Sequence, residues 1–69
     1  MNIIADITGT VWKVEVAVGQ AVAQGDTLLI VESMKMEIPV SAEAAGVVKE
    51  IFVAEGDMVE SGMTVLQLG

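Results

Sequence analysis

One segment places an unusual set of reactive groups side by side. In Glu32-Ser33-Met34-Lys35-Met36-Glu37 a primary amine stands between two thioethers, which are framed in turn by acids. An amine is a target for acylation. A lysine in a turn is ordinarily a solvated charge, and Met34 and Met36 could instead fill gaps in a core. Hairpin tips usually carry Gly, Asn, Asp or Pro, whereas two methionines beside one lysine have no turn-forming role. If the segment is extended, Met34 and Met36 share one side and Lys35 points to the other. Soft, adaptable apolar groups beside an accessible amine form a surface on which an amine-modifying enzyme could dock. Other chemistries have little support. Cysteine and histidine are absent, which excludes thiolate nucleophiles, disulfides, the usual zinc sites and every Ser-His-Asp or Cys-His arrangement. Glu55 and Asp57 form a carboxylate pair within a turn sequence, where solvated charge is the default explanation.

The elements that must hold Lys35 are visible in an internal repeat. A shift of 37 residues pairs Gly9 with Gly46, Val11 with Val48, Val14 with Ile51, Val16 with Val53 and Gly19 with Gly56. It goes on to pair Val22 with Val59, Gly25 with Gly62, Thr27 with Thr64 and Leu29 with Leu66. Two copies are too few for a solenoid, so two halves packed face to face are expected. The first copy ends near Val31 and the second begins at Gly46, which leaves Glu32 to Ala45, including Lys35, as the linker.

The local patterns are those of strands. From Trp12 to Val18 the even positions are apolar and the odd ones polar or small, so Val14 and Val16, with Ile51 and Val53, should point inward. Gly-x-x-Val-x-x-Gly occurs at Gly19 to Gly25 and at Gly56 to Gly62, each glycine suiting a tight turn and each Val plugging the core. The runs Leu28 to Val31 and Val65 to Leu68 are too short for helices. A helical reading would bury glycines and Pro39 in helices at about 1 and 3 kcal/mol each. The predicted fold is all-β, a small flattened barrel or sandwich of two quasi-symmetric halves.

Size and charge narrow the partners. Sixty-nine residues make a single domain spanning 1–69, small enough to depend on a strongly apolar interior, and 54% of the residues are hydrophobic. Three basic residues against ten acidic ones give a net charge of −7, too few cations to neutralise a run of phosphates or to hold an anionic membrane. No apolar stretch reaches the ~18 residues of a membrane-spanning helix, and the start lacks the pattern of a signal peptide. A soluble, cytoplasmic protein, monomeric in isolation, is expected.

With these residues in view, the chain resembles the biotinyl domains of biotin-dependent carboxylases, the biotin carboxyl carrier proteins. Their usual motif Glu-Ala-Met-Lys-Met is matched by Glu32-Ser33-Met34-Lys35-Met36, with Ser33 in place of the commoner Ala. The likeness covers nearly the whole chain, because the doubled Gly-x-x-Val-x-x-Gly and the stretch Val40, Ala42, Ala45, Gly46 also match. There is no inserted thumb before the motif, and Glu43 stands where a proline is common. Met1 and the near-immediate first strand favour a free-standing protein over an excised domain.

The resemblance implies a barrel-sandwich fold with the modified lysine on the hairpin joining its halves. It implies covalent biotin on Lys35, with Met34 and Met36 read by the biotin protein ligase or packed on the biotin arm. Glu32, Ser33 and Glu37 are either surface residues or part of ligase recognition. An alkyl amine is mostly protonated at pH 7, so the ligase must take a proton before attack on biotinyl-adenylate. The carrier would then pass carboxybiotin from a biotin carboxylase to a carboxyltransferase of the acyl-CoA type, performing no catalysis itself. Its acidic surface would favour salt-sensitive docking on basic partners. The nearest rival is a lipoyl carrier of similar fold, whose lysine is not usually flanked by methionines. A module without a prosthetic group, anchored to a partner by Met34 and Met36, is a further alternative.

Overall fold

The computed structural model describes residues 1–69, and it contains strands and turns but no helix. No helix is therefore long and apolar enough to cross a membrane. Strands β1 (Asn2–Ile4), β2 (Gly9–Val14), β3 (Ala21–Val22) and β4 (Thr27–Ser33) make the first half. Strands β5 (Met36–Ser41), β6 (Gly46–Ile51), β7 (Met58–Val59) and β8 (Thr64–Leu68) make the second. They form two antiparallel four-stranded sheets, ordered β1-β8-β6-β3 and β5-β4-β2-β7. This is the flattened all-β barrel-sandwich expected from the sequence.

The halves do not pack as separate units, contrary to the sequence reading. Each sheet takes two strands from each half, so the repeat is an interlocked two-fold rather than one half laid on the other. Hydrogen bonds obey the same symmetry. The Gly19 N–H donates to the Val48 carbonyl and the Gly56 N–H to the Val11 carbonyl, both at 2.8 Å. The Gly25 N–H donates to Ala42 at 2.8 Å and the Gly62 N–H to Ala5 at 2.7 Å. All four glycines have φ between 91° and 93°, where a Cβ is unfavourable, and Val22 and Val59 between them are buried as predicted.

The 37-residue correspondence also reaches further back than Gly9. Ile3 matches Val40 and Ala5 matches Ala42, all four buried, and β5 is the counterpart of β1. The segment Glu32 to Ala45 is consequently not a linker. It contains the end of β4, all of β5 and a two-residue turn between them.

The inward face of the first long strand is also corrected. β2 ends at Val14 rather than running to Val18, and its fully buried residue is Val11. The pairing of β2 with β4 slips between Val11 and Lys13, which throws Trp12 outward, 48% exposed. The same slip occurs between Val48 and Glu50 in β6, with Lys49 as the displaced residue. Val14, Val16 and Ile51 are half-buried against the core, and only Val53 of the four predicted inward residues is fully buried. The interior is one cluster of 15 residues, all Val, Leu, Ile or Ala, with no polar or charged side chain inside. With neither disulfide nor buried ion pair, apolar burial supplies the stabilisation.

Candidate functional site

Lys35 lies at the tip of the hairpin formed by β4 and β5. The two strands pair from Thr27↔Ser41 to Ser33↔Met36, and Met34 and Lys35 alone make the connection. A two-residue hairpin loop that follows the right-handed twist of its strands needs positive φ at both central positions, usually supplied by Asn-Gly. Met34 has φ 52° and Lys35 φ 64°, the only non-glycine residues in the chain with positive φ. The left-handed conformation costs an L-residue with a Cβ roughly 1–2 kcal/mol. The hairpin is held by the core behind it, where Leu29 and Val31 of β4 and Val40 of β5 are buried. Strain at such a place marks a site maintained for something other than stability.

The turn displays its side chains. Met34 is 92% exposed and Met36 63%, which excludes a role for either as a core plug. Lys35 is exposed as well, and the tight turn replaces the extended segment in which it would point away from both methionines. Glu32 and Glu37 are directly opposite one another across the hairpin, both exposed, while Ser33 is half-buried in the closing pair. Like charges in facing positions oppose strand pairing, so these two acids do not stabilise the hairpin through each other. The structure thus brings Glu32, Met34, Lys35, Met36 and Glu37 to one end of the molecule and leaves Ser33 partly covered.

Two of the other three amines are engaged. Lys13 Nζ lies 3.6 Å from Glu15 Oε1, and the Met1 α-ammonium donates to the Leu68 carbonyl at 2.7 Å. The Lys49 stem lies against Gly69. Neither the Lys35 nor the Lys49 amine has an ion pair or side-chain hydrogen bond, but Lys49 lies within β6 with its stem along the chain whereas Lys35 projects from a hairpin tip, the place from which an amine can enter another protein's active site. The Glu55 and Asp57 carboxylates hold backbone: Glu55 Oε2 accepts from the Val14 N–H at 3.2 Å, tying its turn to the end of β2, and Asp57 Oδ2 accepts from the Ala54 N–H at 2.9 Å, closing the turn itself. No group of three or more potential metal ligands occurs.

Gly9 is a residue the sequence reading undervalued. Its backbone passes so close to β4 that an added Cβ would meet the Glu32 carbonyl oxygen and the Val31 side chain. The signal was its recurrence as Gly46 at a position without positive φ, which points to close approach rather than to a turn.

An interlocked two-fold barrel-sandwich with a lysine-bearing hairpin at one end defines a small carrier domain of the biotin/lipoyl attachment class. The chain belongs to the family described as "Biotin-requiring enzyme", whose model matches residues 2–68. It is 43% identical over 68 residues to the biotin/lipoyl attachment protein of Bacillus subtilis (strain 168), covering 99% of this chain and 93% of that one. Among solved structures it superposes on the Kluyveromyces lactis urea carboxylase with a TM-score of 0.95 at 39% identity, over 100% of this chain and 6% of that one. It also superposes on a single-chain, multi-domain long-chain acyl-CoA carboxylase with a TM-score of 0.90 at 29% identity, over 96% of this chain and 6% of that one. The domain is a biotinyl domain, and its cofactor is covalent biotin. A free, exposed amine is the group an amide-linked cofactor needs.

Proposed function

We propose that this chain is a biotin carboxyl carrier in which Lys35 bears the biotin. The observation that carries the reading is the display of an unpartnered Lys35 amine on a left-handed turn between two exposed methionines. Attachment is an acyl transfer by a biotin protein ligase. The neutral Nζ attacks the carbonyl carbon of biotinyl-adenylate, an amide C–N bond forms, the acyl–phosphate bond breaks and AMP leaves, while a base on the ligase takes the proton. Met34 and Met36, with Glu32 and Glu37 behind them, offer the surface the ligase reads, and Ser33 supports the closing pair of the turn.

Biotin, once attached, supplies the ureido nitrogen that accepts and gives up a carboxyl group. The chain's own part is mechanical. A rigid barrel and a tight turn keep the tethered group at high effective concentration for a biotin carboxylase and then a carboxyltransferase. The carrier works in the cytoplasm as a monomer, with residues 1–69 as one domain. An acyl-CoA thioester is the acceptor we assign, the substrate named for one of the similar carboxylases; urea, named for the other, is the competing acceptor.

The test is a two-stage transfer assay. Biotinylated carrier, ATP, labelled bicarbonate and a biotin carboxylase should yield labelled wild-type protein and no labelled Lys35→Ala. Adding a carboxyltransferase and an acyl-CoA should move the label to the thioester. Label on both proteins removes Lys35 from the mechanism, and transfer to urea but not to acyl-CoA overturns the acceptor. A lipoyl group in place of biotin would overturn the carrier assignment.

A further inference from the structure

All the sulfur of this chain is thioether, and all of it is at the surface. There is no cysteine, and none of the five methionines is in the core, which Val, Leu, Ile and Ala fill without them. Met34 is the most exposed large apolar residue at 92%, ahead of Met58 at 73%, Met36 at 63%, Met1 at 57% and Met63 at 37%. The barest thioether therefore shares the two-residue turn with Lys35, and Met36 closes that turn by pairing with Ser33. A thioether in a core is shielded from oxidants carried by water. These two are open to them, and no thiol in the chain competes.

We propose that Met34 and Met36 form a reversible oxidation site that governs whether Lys35 receives biotin, an inference that rests on the reading of Lys35 as the attachment residue. The oxidant is hydrogen peroxide. The sulfur lone pair attacks one peroxide oxygen, the O–O bond breaks, an S–O bond forms and water leaves; sulfur gives up two electrons and the peroxide takes them. The way back is through a methionine sulfoxide reductase, in which two thiols become a disulfide and the sulfoxide oxygen departs as water.

The oxidised turn is a poor docking surface. A thioether is flexible and apolar and moulds itself to what packs on it, whereas a sulfoxide is polar and chiral and must be desolvated on contact. The Lys35 amine is untouched, so the change acts on the approach of the ligase and not on the nucleophile. It leaves the fold alone as well, because neither side chain belongs to the 15-residue interior. The other methionines stand elsewhere. Met58 is in β7, at the opposite edge of the sheet from β5, and Met1 and Met63 adjoin β1 and β8 of the other sheet.

The test starts from the full chain without biotin, treated with hydrogen peroxide that catalase then removes, so that the ligase never meets the oxidant. Peptide mapping by mass should find the added oxygen on Met34 first and on Met63 last. The rate of biotinylation by a biotin protein ligase should fall at least tenfold, and a methionine sulfoxide reductase should restore it. In Met34→Leu/Met36→Leu, compared only with itself, peroxide should change the rate less than twofold. An undiminished rate in wild-type chain carrying both sulfoxides overturns the inference while leaving the Lys35 reading standing. An equal loss in the leucine variant also overturns it, since the effect would then belong to Met58 or another residue, and so does a treated chain that has lost its fold. An untreated chain that takes no biotin on Lys35 overturns the attachment reading and this inference with it. The reductase arm uses the wild-type chain alone, so the result does not hinge on the variant's folding.

Discussion

Gly9 and Glu32 approach so closely that their strands could not pair as they do with a side chain at position 9; a Cβ there would run into the Glu32 carbonyl oxygen. The contact lies two residues before the turn, so it helps to fix where the hairpin leaves the barrel. Its symmetry mate is looser. A Cβ on Gly46 would lie 3.1 Å from the Gly69 carbonyl oxygen, a tight contact that a small shift relieves.

Gly9→Ala should therefore cost about 1–3 kcal/mol, as other overpacking changes do, and Gly46→Ala clearly less. Urea denaturation of the two variants measures the difference. Equal costs would mean that the approach of β2 to β4 has no special role.

The turn predicts a gain in stability. Met34→Asn or Lys35→Gly places at positive φ a residue that tolerates it, relieving roughly 1–2 kcal/mol of strain against a smaller loss to unfolded-state entropy for glycine. Each should raise stability by about 0.5–1 kcal/mol, with Lys35→Gly losing biotinylation altogether. The pair would show stability yielded for function at a named residue. A lower urea midpoint in both would contradict the left-handed turn.

The core predicts a graded series. Leu29→Ala removes a fully buried side chain and should cost about 2–5 kcal/mol, a large part of the stability of so small a domain. Val16→Ala and Ile51→Ala, at half-buried positions, should cost about half as much or less. Thermal melts of the three variants give the order directly. An Ile51→Ala as damaging as Leu29→Ala would place Ile51 in the core after all.

Much of this was legible in the sequence because the glycines are rigid markers. Gly19, Gly25, Gly56 and Gly62 recur at one spacing and share one backbone conformation, so repeat, turns and plugs Val22 and Val59 could be read together. The Lys35 segment stood out because Met-Lys has no business in a turn on local grounds. Strand exchange was not legible. Hydrophobic periodicity reports that a strand has an inner face, not which sheet it joins, so interlocked halves and stacked halves look alike. The slips at Trp12 and Lys49 were hidden for a related reason, since one displaced residue reverses the apparent inward face. The 37-residue shift also pairs Ile3 with Val40 and Ala5 with Ala42, which is the sequence signal for β5.

The central claim is that Lys35 is the residue that receives biotin. An intact mass of the chain co-expressed with an active biotin ligase and biotin, with peptide mapping and a Lys35→Ala control, tests it most directly. The account predicts one biotinyl group, on Lys35, and none on the control. An unmodified wild-type chain, or biotin mapped to Lys13, Lys49 or the Met1 amine, would contradict it.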